Sequence, residues 1–541
     1  MKLAYEPAAT LAGTLLHDKT VDRIWARDIG AWNAAPGSAD AKSIESRLGW
    51  LDVGATMAPH VDRLKALRDR AHAEHVEAVY LLGMGGSSLC AEVLRSVFGI
   101  APGFPELFVL DTTDEHTLTT AATRMNAERT WFVVASKSGG TIEVASMEKF
   151  FWARMQAALG RDPGQHFIAV TDPGTGLDKM SRDKGYADVF VNPADIGGRF
   201  SALSLFGLVP AALIGAPFEA VLNGGTAMAE GCRQNNHANA GLELGAFMAA
   251  AANNKRDKLT VVLAPRLASL GLWIEQLVAE STGKHGKGSL PVVDEPLGRP
   301  DEYGDDRAFV AVSTESEHVD ENALKALEAA GHPVMRLSTR IDGLGAEFFR
   351  WEFATAIAGA ALGINPFDEP NVSEAKDKTK TLLGKYAAAG RFEDTPAEEA
   401  AAIAELRQVL GDVSPPDYIA FLSYLPADHL VEQAIREIRV SIRNHRNVAS
   451  TFGVGPRYLH STGQYHKGGP NTCVAFVITA DDETQTEIPD AGYSFSVLKR
   501  AQALGDVEAL RAHKRRVVRI HLGQWKDASA DLRRIFGDAL R

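Results

Sequence analysis

Hydrophobic positions divide the chain into a helical beginning and two regions in which strands and helices alternate. Up to about residue 75, apolar side chains recur at helical spacing, as Trp25, Ile29 and Trp32 do. From residue 77 onward, short apolar runs without alternation are separated by longer amphipathic stretches. Because such runs are typical of strands covered on both faces, the pattern predicts parallel sheets flanked by helices.

The runs predicted to be strands lie at 79–82, 107–110, 131–135, 167–170, 188–191, 259–263, 309–312, 334–337, 418–422, 472–478 and 517–522. A helical region, 201–253, separates the fifth run from the sixth. We therefore predict an α/β protein with two doubly wound parallel-sheet domains and a helical N-terminal extension. The predicted divisions are a helical segment 1–75, a first α/β domain 76–253, and a second α/β domain 254–541 with a C-terminal elaboration.

The turn after the third predicted strand has the composition of a phosphate site. Ser136, Lys137, Ser138, two glycines and Thr141 lie between a buried strand and a helix that begins at Ile142. Glycines let the backbone approach a ligand, and free N–H groups at a helix start attract anions. This chemistry suits a phosphate monoester. The alternative is a simple capping loop, since Ser and Thr are common helix N-caps.

A second glycine-rich turn, GMGGSS at 83–88, follows the first predicted strand. Together with Asp111 at the end of the next strand, it suggests a dinucleotide site. Ser88, however, stands where that motif has its third glycine. The serines suit a small polar ligand instead, and both turns fall at the carboxyl ends of strands, where parallel sheets bind ligands.

Arg199 and Glu280 are candidates for chemistry. Arg199 follows two glycines after the fifth strand, where a cation can hold a phosphate or stabilise an anionic intermediate. A surface salt bridge is the alternative. In the predicted helix 269–280, Gln276 and Glu280 share a face, and Glu280 at the helix end is a candidate general base. Glu275 lies on a different face and is expected to be exposed to solvent.

Two later segments are also candidates. NPFDEPNV at 365–372 is a turn leading into a helix that carries Lys376. LHSTGQYHKGGPN at 459–471 places His460 and His466 among hydroxyls and glycines before an apolar strand, which predicts a site loop. The spacing of six between the histidines fits no common helical zinc motif, and we predict no metal site.

Composition argues against some classes of partner and indicates the cellular compartment. The net charge of −12 over 541 residues argues against nucleic acid or an anionic membrane as the main partner. The three cysteines lie far apart and form no CxxC pair, which indicates a reducing compartment. We find no signal-peptide hydrophobic region and no apolar run of membrane-spanning length. We therefore expect a cytoplasmic protein.

Several of these motifs together resemble the glucose-6-phosphate isomerase family. GMGGSSL, VVASKSGGT, DIGGRFSALS, QLVAESTGK and NPFDEPNVSEAK occur in this order, and the first α/β unit resembles the sugar isomerase (SIS) domain that the family uses twice. LHSTGQYHKGGPN and the final LKRAQALGDVEALR and RVVRIHLG are similar to the isomerase half of fused transaldolase/glucose-6-phosphate isomerases. The resemblance covers about residues 20 to 541. The transaldolase half has no counterpart in this sequence, so we predict no transaldolase activity.

The resemblance implies an enzyme that interconverts glucose 6-phosphate and fructose 6-phosphate through ring opening and a cis-enediolate, without a metal or redox cofactor. It implies that Glu280 moves the proton between C1 and C2, that Arg199 stabilises the enediolate, and that Lys376 assists at the ring oxygen. The substrate-binding residues that we expect are Gly86, Ser87, Ser136, Lys137, Ser138, Thr141, Gly198, Gln276 and His466.

The ring-opening histidine needs a separate assignment. In the family it usually lies between the catalytic glutamate and the NPFD-type motif, but His285, His318 and His332 in that interval have no matching context. We place it at His460, which implies a changed chain order in the second domain. Because the family's histidine reaches across a dimer interface, a homodimer is expected by analogy.

Two alternatives remain open from the sequence. The first is an isomerase that uses both glucose and mannose phosphates, since pocket shape decides this. The second is a non-catalytic sugar-phosphate sensor built on the same sheet. The presence of Glu280, Arg199 and Lys376 together argues against a sensor, because sensing needs the phosphate anchor but not the base.

Overall fold

The N-terminal part of the chain is helical, as predicted. The structure is a computed structural model and describes residues 4–540. In the described part of the chain, five α-helices precede the first strand: α1 (Glu6–His17), α2 (Thr20–Trp25), α3 (Ala39–Glu45), α4 (Val53–Met57) and α5 (Val61–Ala73). The indole of Trp25 donates to the carbonyl of Cys232 at 2.9 Å, and that of Trp32 donates to the carbonyl of Ala356 at 2.9 Å. These bonds fasten the segment to later helices.

The first sheet is parallel and has the strand order β2-β1-β3-β4-β5. Its elements are β1 (Ala78–Leu82), α6 (Leu89–Phe98), β2 (Glu106–Leu110), α7 (Glu115–Arg124), β3 (Thr130–Ser136), α8 (Ile142–Leu159), β4 (Phe167–Thr171), α9 (Gly176–Asp183) and β5 (Asp188–Val191). All seven residues of the central strand β3 are buried, which explains its run of apolar residues without alternation.

A second parallel sheet follows three helices, with the order β7-β6-β8-β9. The elements in this part are α10 (Leu205–Leu213), α11 (Phe218–Cys232), α12 (Ala240–Asn253), β6 (Lys258–Leu263), α13 (Leu270–Thr282), β7 (Leu290–Val292), β8 (Arg307–Thr314), α14 (Glu321–Ala329), β9 (Val334–Thr339) and α15 (Gly345–Leu362).

The rest of the chain forms a third parallel sheet, with the order β11-β10-β12-β13. Its elements are α16 (Val372–Ala389), α17 (Glu399–Asp412), β10 (Tyr418–Ser423), α18 (His429–Arg446), β11 (Ala449–Val454), α19 (Gly463–Gly468), β12 (Cys473–Asp481), α20 (Phe495–Ala512), β13 (Arg516–Gln524) and α21 (Ala528–Leu540).

All predicted strands are present, and the structure adds β7 and β11. The first has only three residues with a proline in the middle, and the second reads ASTFGV, so neither contains an apolar run. The region after residue 253, which we predicted as one domain with an elaboration, contains two separate four-stranded sheets. The residue limits of the domains stay predictions. Within residues 4–540, no helix is both long and apolar enough to span a bilayer.

Candidate active site

Two adjacent glycines bring four of the sequence motifs together. Gly85 has φ +55°, and a Cβ built on it would lie 2.7 Å from the carbonyl oxygen of His460 and 2.8 Å from Nε2 of Gln276. A Cβ on Gly86 would lie 2.0 Å from the carbonyl oxygen of Gly198. The turn after β1, the turn after β5, helix α13 and the histidine loop therefore meet where no side chain fits.

Helix α13 presents Gln276 and Glu280 on one face, as the spacing predicts. Nε2 of Gln276 donates to Oε2 of Glu280 at 3.2 Å and to the carbonyl oxygen of His460 at 2.8 Å. Both side chains are buried. The Oε1 atom of Gln276 has no partner among the described residues. It is therefore an unused acceptor beside the Glu280 carboxylate.

Arg199 is a buried cation that holds the NPFDEPN turn against the end of α13. It lies in a short 3₁₀ helix, Gly198–Phe200, and its side chain is 4% exposed. Its contacts are Nε to Ser281 Oγ at 2.7 Å, Nη1 to Glu369 Oε2 at 3.0 Å and to Glu280 Oε1 at 3.4 Å, and Nη2 to the carbonyls of Pro366 at 2.7 Å and Asp368 at 2.8 Å. The surface salt-bridge alternative is thereby excluded.

A second arginine completes this charge network. Nη2 of Arg47 donates to Oε1 of Glu369 at 3.0 Å, so Glu369 is shared between Arg47 and Arg199. Burial raises the pKa of Glu369, but the two guanidinium groups outweigh it and lower the pKa to about 2. Glu369 is therefore ionised at neutral pH.

The environment of Glu280 suits a proton-transfer group. Burial raises the pKa of Glu280, Arg199 lowers it, and the nearby charge of Glu369 raises it, with a net upward shift. A buried carboxyl with a raised pKa accepts a proton more readily at neutral pH than an exposed one. The guanidinium 3.4 Å away is placed to offset negative charge that develops nearby.

The ring of His460 is oriented by a buried carboxylate. Nε2 of His460 lies 3.0 Å from Oε1 of Glu143, which also accepts a hydrogen bond from Nε2 of Gln502 at 2.7 Å. The Oε1 atom of Gln502 in turn accepts from the Thr113 hydroxyl at 2.8 Å. Burial raises the pKa of Glu143, but His460 outweighs it and the net pKa is lowered. A carboxylate–histidine pair of this kind can carry protons.

The predicted phosphate turn lies at the start of α8 and is open to solvent at its tip. The hydroxyls of Ser136 and Thr141 are 3.1 Å apart, and Ser138 is exposed. Thr141 occupies the N-cap position, yet its side chain makes no capping hydrogen bond. This argues against the simple capping loop. Lys137 pairs with Asp172 and donates to the carbonyl of Ala194 at 2.9 Å, at the base of the turn.

Ser87 and Lys376 border the cluster. Ser87 is buried directly after the two glycines, in the 3₁₀ helix Gly85–Ser87. Lys376 projects from the second turn of α16 and is exposed. Its charge helps to lower the pKa of Glu143, which places it near the His460–Glu143 pair.

His466 is not brought to this cluster, and its predicted contact with substrate is corrected. Its side chain is enclosed, and Nδ1 lies 2.8 Å from the hydroxyl of Tyr418 in the third sheet. Burial, with the charges of Lys467 and Arg515 nearby, lowers the pKa of His466 to about 3. A neutral imidazole that is 1% exposed packs the loop and is not presented to the cluster.

Two further expectations are also corrected. Glu275, expected at the surface, is only 5% exposed. Asp111, considered as a ribose-binding acid, accepts from the Ser88 hydroxyl at 3.3 Å and lies 3.6 Å from Nη1 of Arg457. Because Asp111 already has protein partners, the structure does not favour a dinucleotide site.

Sequence reasoning missed several charged residues of the cluster. Glu143 follows the SGGT turn by two positions, and Glu369 lies inside the NPFDEPN motif, so both could have been sought there. Arg47 carried no local signal. Lys284, the last residue of QLVAESTGK, was not singled out; its Nζ lies 2.6 Å from Oδ1 of Asp368, and burial lowers its pKa to about 8. Within residues 4–540, no group of three or more His, Cys, Asp or Glu side chains is placed to hold a metal ion.

Known proteins whose sequences are similar to this chain include glucose-6-phosphate isomerases. The model of the family described as "Phosphoglucose isomerase" matches residues 52–301. Over 380 residues the chain is 29% identical to a glucose-6-phosphate isomerase of Rubrobacter xylanophilus, covering 60% of this chain and 87% of that protein. Over 457 residues it is 28% identical to a glucose-6-phosphate isomerase of Listeria monocytogenes, covering 73% of this chain and 93% of that protein.

Similar solved structures confirm the predicted fold class. A hypothetical protein from Thermus thermophilus superposes with a TM-score of 0.59 at 24% identity, covering 69% of this chain and 95% of that one. A glucose-6-phosphate isomerase from Chlamydia trachomatis superposes with a TM-score of 0.54 at 19% identity, covering 74% of this chain and 89% of that one. At these identities the superpositions carry information on the fold alone.

Proposed function

We propose that this chain is an aldose–ketose isomerase that interconverts glucose 6-phosphate and fructose 6-phosphate. The observation that carries the proposal is the buried pair of Glu280 and Arg199, 3.4 Å apart. His460, whose ring pairs with Glu143, lies with its backbone beside Gly85 and accepts from Gln276 on the same helix as Glu280. Ring opening requires an acid–base pair, and enolisation requires a base beside a fixed cation. The family match at residues 52–301 and the isomerase relatives support the same reaction.

The substrate phosphate binds at the turn that starts α8. The hydroxyls of Ser136, Ser138 and Thr141 donate to its oxygens, together with backbone N–H groups of the turn. Lys137 adds positive charge from the base of the turn, where Asp172 holds it. The sugar then lies across the two glycine turns.

The sugar contacts come from the turn after β1, from the turn after β5 and from α13. Gly86, Ser87 and Gly198 border the sugar, since no side chain fits between the two turns. Gln276 orients a sugar hydroxyl with its unpartnered Oε1. His466, enclosed in the third sheet, takes no part.

Ring opening is assigned to His460 and Lys376. His460 removes the proton of the anomeric hydroxyl, and Glu143 stabilises the resulting imidazolium. Lys376 supports protonation of the ring oxygen as the C1–O5 bond breaks. The product is the open-chain aldose.

Proton transfer is assigned to Glu280. Its carboxylate removes the C2 proton of the open aldose, which gives a cis-enediolate, and returns that proton to C1, while the hydroxyl proton moves from O2 to O1, which gives the ketose. Arg199 offsets the negative charge of the enediolate. The proposal assigns no step to a metal or a redox cofactor.

The test is turnover of fructose 6-phosphate to glucose 6-phosphate in EDTA by the wild-type chain and by Glu280→Gln. We expect metal-independent activity that falls by ~10²–10⁴-fold in the variant, the usual contribution of a general base. Glu405→Gln, which makes the same change at an exposed position of α17, serves as control and should be unaffected. Near-normal turnover in Glu280→Gln would remove Glu280 from its role, and an inactive wild type would contradict the isomerase.

The alternatives are tested in the same assay. Comparing turnover of glucose 6-phosphate and mannose 6-phosphate distinguishes a dual-specificity isomerase from a strict one. A sensor would bind fructose 6-phosphate without turning it over. The raised pKa of Glu280 favours the enzyme, because a binding protein has no use for a buried base.

Four finer statements belong to this proposal. The histidine loop supports kinship with the isomerase half of fused transaldolase/glucose-6-phosphate isomerases. The divisions at residues 75/76 and 253/254 are retained and are testable by limited proteolysis.

A homodimer is retained by family analogy, although His460 and Gln276 are in contact within one chain. Light scattering tests the oligomeric state. A cytoplasmic location is consistent with the three cysteines being unpaired.

A further inference from the structure

A cavity of about 570 Å³ lies where the three sheets meet. It is bounded by Asp111 after β2, Leu263 at the end of β6, Phe452 in β11, and helix α18. On α13 it is lined by Glu275, not by the face that carries Gln276 and Glu280. The cavity is therefore separate from the proposed catalytic cluster, although α13 forms part of both.

The lining of this cavity is rich in carboxylates. Six acidic and three basic side chains line it. Three of the acids already have partners: Glu92 with Arg95 at 2.6 Å, Asp294 with Arg436 at 2.6 Å, and Glu295 with Arg307 at 3.0 Å. A fourth, Asp111, accepts from the Ser88 hydroxyl at 3.3 Å and lies 3.6 Å from Nη1 of Arg457, which leaves Glu275 and Glu432.

Glu275 is the most unusual of these. It is only 5% exposed, and it has no hydrogen bond or ion pair with any residue in the described part of the chain. Ser269, the N-cap residue of α13 and six residues before Glu275, also lines the cavity and has an Oγ without a partner among residues 4–540. A buried carboxyl and a buried hydroxyl without partners point to a ligand that supplies hydrogen-bond donors.

The arginines that line the cavity form no ion pair with the Glu275 carboxylate, because they have other partners. Nη2 of Arg439 is bound to the carbonyls of Val293 at 2.9 Å and Ser450 at 2.8 Å. Arg457 lies 3.6 Å from Asp111. Without a close cation, burial raises the pKa of Glu275 to about 8, although both arginines lower it.

We propose that this cavity binds a small aliphatic amine, whose ammonium group pairs with the Glu275 carboxylate and whose alkyl chain lies on the apolar wall. That wall includes Val261, Leu272, Ile435 and Phe452. An ammonium group supplies both the positive charge that the acid-rich lining lacks and three donors. An organic cation fits better than a metal ion, since no trio of metal-ligating side chains is found within residues 4–540.

Binding has a proton balance. Where Glu275 carries a proton in the empty cavity, the ammonium ion displaces it, and one proton leaves to solvent for each amine bound. The other charged groups that line the cavity with Glu275 are Glu92, Asp111, Asp294, Glu295, Glu432, Arg436, Arg439 and Arg457. The ammonium of an alkyl amine stays charged to about pH 10, as that of Lys does. Affinity should therefore rise between about pH 6 and pH 9.

The cavity adjoins residues that neighbour the proposed active site. Glu275 adjoins Gln276, and Arg457 starts the 3₁₀ helix that ends at His460. Asp111 accepts from Ser88, next to the glycine turn. The binding itself does not rest on the proposed isomerase activity, so the two can fail independently.

The test is calorimetric titration of the full chain with 1,4-diaminobutane at pH 8, with 1,4-butanediol as the uncharged control. We expect saturable binding of one diamine per chain and none of the diol. Glu275→Gln should weaken binding by about tenfold or more, because it removes the buried partner of the ammonium group. Glu405→Gln, with the same charge change on exposed α17, should leave it unchanged.

Two measurements keep the test decisive if Glu275→Gln fails to fold. Glu432→Gln alters an exposed acid on the cavity wall and should also weaken binding of the diamine. Titration of the wild type in buffers of different ionisation enthalpy should show proton release at pH 7. Binding that is equal for diol and diamine, that releases no proton, or that is unchanged in both cavity variants would overturn the proposal.

Discussion

Oε1 of Glu143 lies 3.0 Å from Nε2 of His460, although 317 residues separate them in the chain. Glu143 lies in the first turn of α8, which follows β3 of the first sheet. His460 lies in the segment after β11 of the third sheet. The second sheet contributes α13, whose Gln276 donates to the backbone of His460. All three sheets therefore contribute to one cluster.

This pair yields the first prediction. If Glu143 acts by positioning His460, Glu143→Gln should lower kcat for fructose 6-phosphate by about an order of magnitude or more, as loss of acid–base assistance does. In a His460→Asn background the same change should have little further effect, because the residue it acts through is gone. Steady-state kinetics of the four proteins measures this. Additive losses would instead indicate that Glu143 only stabilises the fold.

The phosphate turn yields the second prediction. Ser138→Ala combined with Thr141→Ala removes two donors to a dianion, and hydrogen bonds to charged groups contribute roughly 1.5–3 kcal/mol each. KM for fructose 6-phosphate should rise at least about tenfold. Thr381→Ala, on the exposed side of α16, is the control. An unchanged KM in the double variant would place the phosphate elsewhere.

The third prediction concerns pH. Glu280 must be ionised to act as a base, and its pKa is raised by burial, lowered by Arg199 and raised by the charge of Glu369. The acidic limb of kcat/KM should therefore lie above the ordinary range of a glutamate, about 4.3. Glu369→Gln removes a negative charge, so the limb should move to lower pH. A limb that moved upward, or moved equally in Glu405→Gln, would contradict this assignment.

The fourth prediction concerns stability. Asp506 on α20 accepts from Nζ of Lys467 at 2.7 Å and from the Tyr458 hydroxyl at 2.7 Å, and both members of the ion pair are 1% exposed. Asp506→Asn leaves a buried ammonium without its counter-charge, which should cost about 3–5 kcal/mol in the free energy of unfolding. Urea denaturation measures this, with the exposed Asp412→Asn as control. A loss as small as the control's would show that Lys467 finds another partner.

Much of the secondary structure was predictable because it depends on short stretches of sequence. The apolar run 131–135 predicts a central strand, and β3 is buried along its whole length. β11 was missed because ASTFGV contains no apolar run; it is an edge strand of its sheet. Its strand conformation depends on pairing with β10, a contact between distant segments.

The sequence alone determined the α/β class, the two glycine turns, and the shared face of Gln276 and Glu280, since each follows from local periodicity or composition. Tertiary structure decided the rest. It enclosed His466, buried Glu275, and joined Arg47 and Arg199 through Glu369. Burial and long-range ion pairs depend on which segments are in contact in the folded chain. These contacts shift the pKa values of Glu280 and Glu369.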